Sequence, residues 1–170
     1  MSEFKNISPD QLDFSPFRLI GKEWMLITAE SQGKVNSMTA SWGGLGVMWG
    51  KNVAYVVIRK SRFTKELVDT SESFSLAFFD HEKYQKMLSY MGSVSGRDED
   101  KIEKSGLTVA HQNGVPYFTE AKTVLLCKKL CRQYIAPESL IDDSIDGQWY
   151  SDSDYHDLYI VEVEEILQAV

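Results

Sequence analysis

The sequence predicts a mainly β chain, a β-barrel interrupted by short helical excursions, and three observations point there. Apolar, β-rich runs recur along the chain, each bounded by turn residues. Segments with helical periodicity are few and short. At 170 residues and 43% hydrophobic, the chain can bury the core of one domain, with no repeat, low-complexity tract or linker to divide it. Residues 1–170 are therefore read as a single domain.

Taken in order, strands are expected at residues 24–28, 35–42, 53–59, 74–79, 123–135 and 158–166. The stretch "TVAHQNGVPYF" adds a hairpin, because Asn113-Gly114 suits a type I′ turn. Pro116 confines its second arm to an edge or a strand start. Helices are expected at 62–70, 82–90 and 98–104. The last has acids in its first turn, then Lys104 and Gly106 at its end. "GGLGVMWG" reads as a glycine-rich loop.

Composition and motifs exclude several functions. A formal net charge of -7 argues against nonspecific nucleic-acid binding, which needs a basic surface. "MSEFKNISPDQ" is polar and mixed in charge, unlike a signal peptide, and no apolar run approaches the ~20 residues of a membrane helix. A cytoplasmic chain without membrane or nucleic-acid partners is the expectation. Cys127 and Cys131 on a strand would have Cα atoms roughly 13 Å apart, too far for a disulfide. They are read as reduced thiols. His81, His111 and His156 show no metal-ligand spacing.

Nucleotide and calcium motifs fail in detail. Walker A is absent, and Trp49 stands where a dinucleotide fingerprint needs its third glycine. "DDSIDGQWYSDS" has Asp142, Ser144, Asp146 and Gly147 in calcium-loop positions, but Ser153 replaces the bidentate Glu and no flanking helices are evident. No metal is expected, and no nucleophile elbow or zincin motif is present.

An acidic chain gathers its cations in "VAYVVIRKSRFTKELVDTSESF", where a strand hands over to a helix. With Ser61 as N-cap, Arg62 and Lys65 would sit beside the positive end of the helix dipole, unfavourable by roughly 0.3–1 kcal/mol each. A docked anion reverses that sign. Free N–H groups, the Ser61 and Thr64 hydroxyls and the Arg62 guanidinium would together bind a phosphate. A solvated basic turn is the other reading, and this stretch alone does not choose.

Two further phrases have the composition of loops that approach a flat or anionic ligand. "VNSMTASWGGLGVMW" offers glycine, small hydroxylated residues, Trp42 and Trp49, and "GSVSGRDEDK" offers Ser93, Ser95, Gly96, Arg97 and Lys101. With "RKSRFT" and "YHDLYIVEV", in that family's order from about Lys34 to the end, they resemble the flavin reductase-like family, the FMN-binding split barrels, and among them the flavoredoxin-type members.

The resemblance implies a six-stranded Greek-key split barrel that pairs as a homodimer and holds FMN near the subunit interface. It implies that Thr39, Ala40, Ser41 and Trp42 line the isoalloxazine, the first three mostly through backbone groups. Arg59, Ser61, Arg62, Phe63 and Thr64 would take the phosphate and ribityl end, with Ser95, Gly96 and Lys101 completing the pocket. His156 would stand on the nicotinamide side, unless it is a structural histidine. Two departures matter: Lys60 replaces a frequent proline, and Val161 replaces a glycine, narrowing the wall beside His156.

The implied activity is hydride transfer from NAD(P)H to flavin, chemistry that belongs to the cofactors and needs no protein general base. Backbone N–H groups near Thr39–Ser41 would face the ring edge where negative charge develops. Two alternatives remain: a flavoredoxin-like electron carrier between redox proteins, and a non-enzymatic barrel binding another phosphorylated ligand such as a haem precursor or a nucleotide.

Overall fold

The computed structural model describes residues 3–170; Met1 and Ser2, at the start of the polar N-terminal stretch, lie outside the described residues. Ten strands form: β1 (Phe4–Ile7), β2 (Met25–Ser31), β3 (Lys34–Ala40), β4 (Gly43–Met48), β5 (Lys51–Arg59), β6 (Ser73–Phe78), β7 (Val109–Gln112), β8 (Val115–Phe118), β9 (Thr123–Tyr134) and β10 (His156–Ala169). Among the described residues five α-helices interrupt them: α1 (Pro16–Arg18), α2 (Phe63–Thr70), α3 (His81–Ser93), α4 (Lys101–Ser105) and α5 (Asp143–Trp149), besides short 3-10 or π turns at Pro9–Gln11, Leu19–Glu23 and Pro137–Ser139.

Seven strands run in the order β3-β2-β6-β9-β10-β5-β4, with β1 added along β10, while β7 and β8 pair separately. The two sheet edges, β3 and β4, are consecutive in the chain and joined only by Ser41 and Trp42. Three peptide steps span at most ~11 Å, so the edges must come together at this corner and the sheet must roll up. The result is the split barrel expected.

Strand alternation sorts apolar residues into two cores. Ile27, Leu76 and Leu125 are paired in register and point into the barrel. Their neighbours Leu26, Ala77 and Val124 point outward, beneath α3 and the β7–β8 hairpin. A sheet buried on both faces loses the in–out polarity that marks a one-sided strand. Each fully buried Leu or Ile here contributes roughly 1.5–3 kcal/mol.

The sheet has two more strands than predicted, β1 and β4. Strand β4 had the composition of a loop because its glycines lower strand propensity. They are there to admit Tyr55 on β5. A Cβ at Gly43 would lie 2.3 Å from the Tyr55 carbonyl oxygen. Trp49 and Gly50, both at positive φ, then make the two-residue turn into β5, as Asn113 and Gly114 do between β7 and β8. Pro116 lies on β8, at the edge of that small sheet.

Helix boundaries shift for local reasons. The helix expected from Asp98 begins at Lys101, because Ser95 O first accepts Asp98 N–H in a turn at 3.1 Å; Asp100 caps it and Gly106 ends it at φ 72°. Residues 143–149 form α5, capped by Asp142, which accepts the Ser144 N–H and hydroxyl. The acids seen as a calcium-loop pattern are thus strung along a helix.

Candidate functional site

The corner where the barrel edges meet opens into a cavity of about 400 Å³, within the ~300–1,000 Å³ of small-molecule sites. One wall is the chain from Met38 through Thr39, Ala40, Ser41 and Trp42. Ser41 and Trp42 belong to neither flanking ladder. The Thr39 hydroxyl is spent on Leu88 O at 2.5 Å, so this residue offers the cavity its backbone rather than its oxygen. Val57 and Arg59 of β5, Arg62, Trp149 and His156 complete the lining. Trp42 crosses Trp149 edge-on at 4.9 Å and lies 5.1 Å from His156, so the mouth is aromatic.

The register brings Arg59 opposite His156, at the ends of β5 and β10. His156 is buried, and its Nδ1 lies 2.9 Å from the Tyr150 hydroxyl. Burial, and then the Arg59 guanidinium beside it, lower its pKa to about 4. The ring is neutral at physiological pH, a hydrogen-bonding group rather than a cation.

The cation cluster is not one site but several commitments. Arg59 donates to Asp154 O at 2.9 Å, Trp149 O at 2.8 Å and Asp152 Oδ1 at 3.3 Å. Lys60 covers the Tyr134 ring at 3.8 Å and does not line the cavity. Lys65 is buried between Asp69 and Asp157, at 2.7 and 2.8 Å. Arg62 differs: it lines the cavity, donates only to Gly92 O at 2.7 Å, and pairs with no carboxylate among the described residues.

Ser61 is not the helix N-cap. Arg62 takes that position, and Asp154 accepts both the Ser61 N–H and its hydroxyl. The dipole argument therefore holds for Arg62 and not for Lys65, whose charge is neutralised locally.

The remaining predicted site residues lie outside this cavity. Thr64 is buried and its hydroxyl accepts from Asn36 Nδ2 at 2.8 Å. Gly96 sits against the same Asn36, where an added Cβ would lie 2.2 Å from Oδ1. The Phe63 ring lies beneath Lys34 and Arg97, and Ser95 Oγ accepts Arg97 N–H. Lys101 and Gly96 line a neighbouring cavity of about 510 Å³. Lys101 donates to Met91 O and Val94 O at the C-terminus of α3; burial, then Arg62, lower its pKa to about 8. Val161 faces the barrel core and does not narrow the wall beside His156.

Sequence reasoning missed Trp149, Tyr150 and Asp154 as parts of this site. Their signal was the capped start at Asp142 together with aromatic residues next to "YHD".

A flavin reductase like domain model matches residues 17–169, so the chain belongs to that family. Comparison with curated proteins gives no match. Among solved structures, an FMN-binding domain of a flavin reductases-like enzyme from Shewanella baltica is 21% identical, over 99% of this chain and 78% of its own, with a TM-score of 0.71. Flavoredoxin of Desulfovibrio vulgaris is 20% identical over 86% of this chain and 68% of its own, with a TM-score of 0.66. The styrene monooxygenase flavin reductase of Pseudomonas putida is 16% identical over 84% and 77%, with a TM-score of 0.62. At these identities the likeness establishes the fold.

Proposed function

We propose that the chain binds FMN in the 400 Å³ cavity and serves as an NAD(P)H-dependent flavin reductase. Family membership supports the flavin, and the observation that carries it to this cavity is Arg62. An open guanidinium at the edge of an aromatic-mouthed cleft suits a planar ring with a phosphorylated tail.

The residues present fit the group. The Ser41 and Trp42 segment, free of both ladders, offers backbone donors along the ring edge. Trp42 and Trp149 exclude water from one face. Neutral His156, held by Tyr150, orients a partner without adding charge. Bound FMN would supply the hydride-accepting chemistry. Homodimer formation belongs to the same proposal; exposed Val47 and Trp49, on and beside edge strand β4, support a second copy as occupant, checked by sedimentation.

A flavoredoxin-like carrier is the second reading. Segment 142–154 borders the cavity with five aspartates and no Lys or Arg, which suits a basic redox partner. Multiple turnover with NAD(P)H supports the reductase, whereas fast reduction only by a redox protein supports the carrier. The first test is the visible spectrum of the purified protein, with mass identification of what denaturation releases. Released FMN supports the cofactor; a colourless protein that also ignores added FMN overturns it.

A further inference from the structure

The turn from Arg59 to Phe63 already holds an anion, and it is one of the chain's own. Asp154 Oδ1 accepts the Ser61 backbone N–H at 3.1 Å, and Oδ2 accepts the Ser61 hydroxyl at 2.5 Å. A backbone amide and a hydroxyl converging on one carboxylate form the grip that phosphate oxygens take at such turns. The carboxylate arrives on the strap made of α5 and the loop into β10, whose Trp149 closes the cavity.

The strap does not need this carboxylate as its anchor. Arg59 holds the main-chain carbonyls of Trp149 and Asp154, and Lys60 N–H reaches Tyr155 O at 3.4 Å. All three contacts survive a change of the side chain at position 154. The carboxylate is therefore an extra negative charge, held on the amide and hydroxyl of the residue next to Arg62.

We infer that Asp154 is a specificity-determining residue for the flavin tail: by occupying the Ser61 donors it narrows this chain's preference for FMN over riboflavin. The inference rests on the flavin reading given above. A phosphate monoester carries a charge of about −1.5 to −2 at pH 7. Docked at Arg62 and the first turn of α2, it is attracted by the guanidinium and repelled by Asp154. It must also do without Ser61 or displace the carboxylate. Riboflavin, which ends in a hydroxyl, meets neither penalty. Arg62 sets the preference and Asp154 limits it.

FMN and riboflavin are titrated by fluorescence quenching into the wild type, Asp154→Asn, Ser61→Ala and the double variant. The expected result is that Asp154→Asn tightens FMN roughly three- to tenfold and leaves riboflavin within about twofold. Ser61→Ala alone shifts FMN by less than about twofold, but costs more than about threefold in the Asp154→Asn background. Equal changes for both flavins, or weaker binding of both by Asp154→Asn, would make Asp154 a strap anchor and overturn the inference. Should Asp154→Asn not fold, a loss of FMN affinity above about twofold in Ser61→Ala overturns it, and a loss under about twofold upholds it. A wild type that binds neither flavin sinks the flavin reading first and this inference with it.

Discussion

Arg62 and Lys65 stand one turn apart at the start of α2, in opposite surroundings. Lys65 is buried with Asp69 and Asp157; burial works against its charge, but the two carboxylates outweigh it and raise its pKa above the usual range. Tyr159, fully buried, completes the network by donating to Asp69 at 2.5 Å. Arg62 has one carbonyl and a cavity. A charge enclosed by its own counter-ions fastens the helix to β10, whereas a charge left open at a cavity is the one to which the proposed function gives a ligand. On that reading, similar residues in one turn divide stability from binding.

The largest effect expected on that division is at Asp157. Asp157→Ala leaves Lys65 with one carboxylate in a site that is nearly dry, and should lower stability by roughly 2–4 kcal/mol in urea unfolding. FMN affinity of the folded fraction should stay within about threefold. Arg62→Ala should do the reverse: a charge-assisted bond worth roughly 1.5–3 kcal/mol disappears, so FMN binds about ten- to a hundredfold more weakly. Its stability should fall by less than ~1 kcal/mol, the single contact to Gly92 O. If Arg62→Ala lowered stability as much as Asp157→Ala and spared the FMN affinity of the folded fraction, the two residues would have exchanged roles and the comparison would be broken.

This division was only half legible in the sequence. The clustering of Arg59, Lys60, Arg62 and Lys65 was visible, but their partners come from far along the chain. Asp154 and Asp157 reach the turn only because β10 pairs with β5, a contact about a hundred residues distant that no local rule reports. The strands with apolar runs and the Asn113-Gly114 turn were read correctly because their signals are local. Strand β4 was not, since its glycines answer to Tyr55 rather than to their own propensity. Among the site residues, the Thr39–Trp42 wall, Arg59, Arg62 and His156 do meet at one cavity. Ser61, Phe63, Thr64, Ser95, Gly96 and Lys101, carried over from family order, do not line it: Ser61 meets Asp154, Thr64 and Gly96 meet Asn36, and Lys101 meets the end of α3, contacts that order along a chain does not report.

His156 offers a smaller, pH-dependent test of the cavity side. Its folded pKa of about 4 lies below the unfolded ~6.5, so between those values the unfolded chain binds more protons. Stability from this group is fully present above pH ~6.5 and is lost as pH falls toward 4. The loss should be roughly 1–3 kcal/mol, measured as the difference between wild type and His156→Phe in urea melts at each pH. His156→Ala should also reduce turnover with NAD(P)H more than it weakens FMN. Equal turnover in the two proteins would return His156 to a purely structural role beside Tyr150.

Lys101 gives the finest test, because it stands between the two kinds of cation. Among the described residues it pairs with no carboxylate, as Arg62 does not, yet two of its three N–H donors already cap α3. If the third serves a bound phosphate, binding must raise its pKa from about 8. The complex then holds more protons than the free protein just above pH 8. FMN affinity should accordingly fall as pH rises from 8 to 10, approaching tenfold for each unit by which the pKa is raised. Riboflavin, titrated in parallel, removes the flavin ring's own ionisation from the comparison. A pH-independent ratio of FMN to riboflavin affinity over that range would make Lys101 a helix cap alone, and would leave Arg62 as the single side-chain cation for the phosphate.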